Sequence, residues 1–103
     1  MFTPRYQNEQ TDRLVKAILT LQNEEEAYRF LEDVLTIQEM KSVTQRLEVA
    51  VMLRNRDTYQ EIVHQTGAST TTIGRVNRTL QYGADGYSLV LDRLDESEKA
   101  QQK

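Results

Sequence analysis

Apolar residues along this chain recur at helical spacing, and polar cap-forming residues divide the pattern into segments. Leu14, Ile18 and Leu21, with Val15 alongside, mark a first helix. Asn23 then stands before Glu24-Glu25-Glu26, an N-cap followed by acids that suit the positive end of a helix. A second helix from there is expected to bury Ala27, Phe30, Leu31, Val34 and Leu35. The three glutamates read as a solvated first turn rather than an acidic recognition patch. Thr36 to Glu39 has capping-box spacing, with Leu35 and Met40 placed as a hydrophobic staple. The third helix it opens runs through Val43, Leu47, Ala50, Val51 and Leu53 to Arg54, long enough to serve as a spine.

Asn55-Arg56-Asp57 breaks the apolar pattern, after which Thr58 and Glu61 repeat the capping-box spacing and open a short helix ending near Thr66. Gly67 supplies a turn, and Ser69 caps a helix through Ile73, Val76 and Leu80 to about Tyr82, stopped by Gly83. A last helix carries Tyr87, Leu89, Val90, Leu91 and Leu94, and the polar residues 96–103 beyond it are expected to fray. The prediction is an all-α chain of six helices. With one proline, at position 4, and no Gly- or Ser-rich stretch, residues 1–103 are expected to form a single domain. A chain this short buries a modest share of its apolar surface, so dimerisation would add stability.

Residues 58 to 82 carry the functional signal. A helix-turn-helix needs a short first helix, a tight turn, and a second helix crossing the first on a few apolar contacts. Ile62 and Val63 give the first helix an inward face, Gly67 allows a left-handed turn, Ala68 is small enough for the crossing, and Ile73 and Val76 complete the packing. The opposite face of the second helix then displays Thr71, Thr72, Arg75 and Arg78, with Ser69 and Thr70 at its leading end. Threonine offers a methyl to thymine and a hydroxyl to bases or phosphates, and arginine bonds guanine bidentately. Gln60 is placed for a phosphate or an adenine edge, and Arg54 and Arg56 lie where the chain would approach a duplex. The same pattern is open to a plain helical hairpin with a solvated polar surface.

The order of elements and the wording from Leu35 to Leu80 resemble the Trp repressor family, in particular its YerC/YecD-type branch. The resemblance is densest over Tyr59-Gln60-Glu61-Ile62, Gly67-Ala68 and Thr72-Ile73-Gly74-Arg75, with Asn77 and Leu80 after them and Leu35-Thr36 and Arg46 upstream. It implies an intertwined homodimer of six-helix chains that sets two helix-turn-helix units into successive major grooves of a palindromic operator in double-stranded DNA. It also implies an effector site: Arg46 and Arg75 fall where the tryptophan-binding repressor holds its ligand between two arginines, and Thr79 falls where that repressor has a serine. Val76, however, stands where it has a glycine beside the indole, and a valine would fill that space. The expectation is a DNA-binding repressor that needs no tryptophan, although Arg46 and Arg75 could still pair with another small carboxylate.

Charge alters this picture less than the total suggests. The net charge is -3. Residues 1 to 40 hold four Lys/Arg against eight Asp/Glu, and residues 82 to 103 hold three against five. Residues 41 to 81 hold six against three, so the positive charge gathers around the motif, as a basic face on an acidic body. The acidic ends would equally suit a helical protein-interaction module, such as an accessory or antitoxin-like protein that does not read DNA. An enzyme is disfavoured by the absence of cysteine, a single histidine (His64) and the lack of a glycine-rich phosphate loop. No metal and no cofactor are expected. Tyr59 and Tyr82 read as packing residues rather than stacking platforms. No apolar stretch is long enough to span a bilayer, and the opening Met1-Phe2-Thr3-Pro4-Arg5 lacks the apolar run of a signal peptide, so a cytoplasmic location is expected.

Overall fold

The computed structural model describes residues 1–101, in which there are six α-helices and no strand. They fall into two compact units, residues 1–40 and the remainder from Lys41 on.

The first unit contains α1 (Glu9–Leu19), α2 (Glu24–Val34) and the first turn of α3 (Ile37–Arg54). Asn8 caps α1 by a reciprocal box with Thr11, a start that the apolar spacing did not reveal. Asn23 caps α2 through the N–H of Glu26, as its position before three acids predicted. Thr36 opens α3: its N–H donates to Glu39 Oε1 at 2.9 Å, and its hydroxyl accepts from the N–H of Glu39 at 3.1 Å. Both α1 and α2 are amphipathic, yet neither contains a buried residue. The expected burial of α2 is therefore not found within the chain: Leu31 and Val34 are exposed, and Ala27, Phe30 and Leu35 are half-buried. Leu14, Val15 and Ile18 are open as well.

The second unit holds the core. Val49 and Ala50 of α3, Ile62 of α4 (Tyr59–Thr66), Ala68 of the turn, Ile73 and Val76 of α5 (Thr70–Tyr82) and Leu91 of α6 (Gly86–Gln101) form one buried cluster. Leu47, Met52, Leu53, Leu80 and Tyr87 pack around it. α3 ends where Arg56 takes a left-handed φ of 65°, which turns the chain toward the next cap. Arg54, in the last turn of α3, pairs with Asp92 of α6 and approaches Asp95 at 3.7 Å. Gly83 ends α5 for a different reason from the one that ends α4. Its φ is -86°, but a Cβ there would lie 2.5 Å from the carbonyl oxygen of Thr79. α6 continues to Gln101; Gln102 and Lys103, the end of the stretch expected to fray, lie outside the described residues.

Two outcomes follow from these contacts. Ile62→Ala, at a fully buried position, should cost about 2 to 5 kcal/mol, a large share of the stability of a small domain. A denaturant unfolding midpoint close to that of the wild type would show the cluster to be looser than described. The second concerns acid. Thr36, through its backbone N–H first and its hydroxyl second, holds the Glu39 carboxyl below the ordinary carboxylate value. A lowered folded value means that this contribution is present above the unfolded value and is lost as pH falls through the folded one. Glu39→Gln should keep the cap but flatten that acid-side loss of helix content, measured by circular dichroism from neutral to acid pH. Identical acid profiles would exclude the box as its source.

Candidate nucleic-acid interface

The interface begins at the turn between α4 and α5. Thr58 caps α4 by accepting from the N–H of Glu61 at 3.2 Å, and Glu61 returns a carboxylate to the N–H of Thr58 at 3.1 Å. α4 ends on Gly67, whose φ of 72° is the left-handed conformation that a Cβ opposes. Thr66 braces the turn: its hydroxyl donates to the carbonyl of Ile62 at 2.7 Å and accepts from the N–H of Ala68 at 3.1 Å. Gln45 Nε2 of α3 donates to the carbonyl of Thr66 at 3.1 Å, which ties the turn to the spine. The capping box at Thr58 and the glycine stop were legible in the sequence. Gln45 and the hydroxyl of Thr66 were not, because polar residues inside a helix carry no sign of what they will meet.

Packing then orients α5. Ile62 and Ile73 are each 0% exposed and Val76 is 3% exposed, so one side of α5 is held against α4 and the core. Val63, expected to share that inward face, is exposed. At 100° per residue the opposite side carries Thr71, Gly74, Arg75 and Arg78. Thr70, Thr71, Arg75 and Arg78 are exposed, and α5 contains no acidic residue. Ser69 and Thr72 are engaged with each other: the N–H of Thr72 donates to Ser69 Oγ, and that hydroxyl donates to Thr72 Oγ1, both at 3.1 Å. Thr72 is half-buried, more tightly tied to the helix start than the residues beside it.

The remaining candidates divide. Gln60 is exposed on the first turn of α4, and Arg56 is exposed at the turn before it. Arg54 is engaged by the two aspartates of α6 rather than free in the same region. Arg46 of α3 is exposed, and the hydroxyl of Thr79 donates to the carbonyl of Arg75 at 3.0 Å, the ordinary inward bond of a helical threonine. Both tyrosines, expected to pack, are exposed. Tyr59 is linked to α5 by a long 3.5 Å hydrogen bond, donated by Asn77 Nδ2 to its hydroxyl. Tyr82 is 80% exposed, so the packing expected of it does not occur within this chain. No cluster of His, Cys, Asp and Glu fit to hold a metal ion occurs among the described residues, and no helix among them is long and apolar enough to cross a membrane.

Comparison with known proteins agrees with this architecture. The sequence model of the Trp repressor protein family matches residues 9–95. An uncharacterised protein of Bacillus subtilis (strain 168), YerC, is 50% identical over 94 residues, which cover 91% of this chain and 90% of YerC. The crystal structure of a TrpR-like protein from Eubacterium eligens ATCC 27750 superposes with a TM-score of 0.82 at 53% identity, covering 85% of this chain and 91% of that one. That of a candidate Trp repressor from Staphylococcus aureus gives a TM-score of 0.82 at 47% identity, covering 86% and 89%. With sequence and fold agreeing over most of its length, the chain belongs to the Trp repressor family.

Proposed function

We propose that this protein is a dimeric, sequence-specific DNA-binding transcription regulator that represses from a palindromic operator. The observation that carries the reading is α5 itself. Ile73 and Val76 anchor one side, and the other offers exposed Thr70, Thr71, Arg75 and Arg78 with no carboxylate to repel phosphate. Arg56 and Gln60 flank it as backbone contacts. The dimer accounts for the first unit, where strongly amphipathic α1 and α2 leave Leu14, Val15, Ile18, Leu31 and Val34 open; a second copy would cover them.

The reading includes operation without tryptophan. Val76 belongs to the core cluster, so α5 is held by side chains of the chain itself and needs no ligand to orient it. A second reading, a helical interaction module, is favoured by one observation, the excess of four acidic charges over residues 1 to 40. Salt separates the two, because phosphate neutralisation makes duplex binding fall steeply with ionic strength.

The test is selection of bound duplexes from a random pool. It should enrich a palindrome with half-sites about one helical turn, roughly 10 base pairs, apart. On the selected site Arg78→Ala should weaken binding about equally for all sequences, whereas Arg75→Ala should relax preference at one base pair by about 1 to 3 kcal/mol. Failure to enrich any duplex, with no salt-sensitive binding, would leave the interaction module as the better account. Calorimetric titration with free tryptophan should give no saturable heat, and the affinity for the selected site should be the same with and without it; saturation in the micromolar range would refute independence from the ligand.

A further inference from the structure

The chain has four glycines, and the fold demands two of them, while a third sits at a helix start where glycine costs little. Gly67 sits at a φ of 72°. At Gly83 a Cβ would lie 2.5 Å from a backbone oxygen. Gly86 is the first residue of α6, where helical hydrogen bonding has yet to begin. Gly74 is different. It lies in the interior of α5, where glycine is a poor helix former, and a Cβ there would meet nothing within 4 Å. Neither backbone conformation nor packing within the chain calls for it.

Its place on the helix suggests what does. Gly74 lies one turn after Thr70 and Thr71 and one turn before Arg78, beside Arg75, on the side away from Ile73 and Val76. It is half-buried and forms a notch beside the face that carries the threonines and arginines, between Thr70 and Arg78. From this, and resting on the DNA-binding reading above, we infer that Gly74 is a close-approach residue: the α5 backbone meets the duplex at this notch, and the absence of a side chain sets how deeply the helix seats in the groove. Arg75 and Arg78 flank the notch with positive charge and α5 has no acid, which fits a polyanionic duplex at this point. Glycine here forgoes helix stability, and the depth of docking is what it provides in return.

Gly74→Ala and Gly74→Leu separate the two effects, because both residues are better helix formers than glycine and the site is open in the free protein. Both variants should have a Tm at or above that of the wild type. Binding to the duplex selected with the wild type should weaken by about tenfold for alanine and further for leucine, a loss that grows with side-chain size. The oligomeric state, followed by sedimentation, should not change. Wild-type affinity in both stabilised variants would overturn the inference while leaving the DNA-binding reading intact. A shift in oligomeric state would overturn it in favour of contact with a second copy. Absence of duplex binding by the wild type itself would sink the underlying reading and the inference with it.

Discussion

The second helix of the motif is aimed by two apolar side chains three residues apart. Ile73 and Val76 have almost no exposed surface, and they meet Val49 and Ala50 of the long third helix, Ile62 of the fourth, Ala68 of the turn and Leu91 of the sixth. Because interiors are close-packed, rotating α5 about its axis would expose these groups and open a void beneath them. The side of α5 that faces outward is therefore set by what faces inward. Thr70, Thr71, Arg75 and Arg78 are presented together because the core leaves them no other direction.

Val76 is the member of this cluster on which the proposed reading turns. It fills the core beneath α5, so side chains of the chain itself hold that helix against α4. Hydrogen bonds at the turn act in the same direction. Gln45 holds the carbonyl of Thr66, and Thr66 closes on both Ile62 and Ala68, so the crossing of α4 and α5 is braced by polar as well as apolar contacts. Under the proposed function, bracing of this kind would reduce the ordering cost of binding.

The two units differ in how far they are satisfied by their own sequence. Residues from Lys41 on bury a cluster contributed by four helices and a turn. Residues 1–40 form well-capped amphipathic helices that bury nothing. An apolar stripe of regular spacing records that a helix will be covered, without recording by what. That is why Phe30, Leu31, Val34 and Leu35 could be expected to be buried and yet are open or half-open in the single chain.

Local rules carried a large part of the structure into the sequence. Helix starts at Asn23, Thr36, Thr58 and Ser69 follow from side-chain oxygens meeting unpaired N–H groups, and the stop at Gly67 follows from the left-handed φ that glycine tolerates. These depend on neighbours within a few residues, so the sequence by itself determined six helices, the helix-turn-helix and the outward placement of Thr71, Arg75 and Arg78 on α5, though not that of Thr72, which is half-buried. Only the tertiary structure decided which apolar residues go inside and which polar groups are already engaged. It left Val63 and Tyr82 outside and paired Arg54 with Asp92 and Asp95. It also showed that Gly74 has open space around it. These outcomes depend on residues far apart in the chain meeting in space, and periodicity along one helix carries no information about the element that will pack against it.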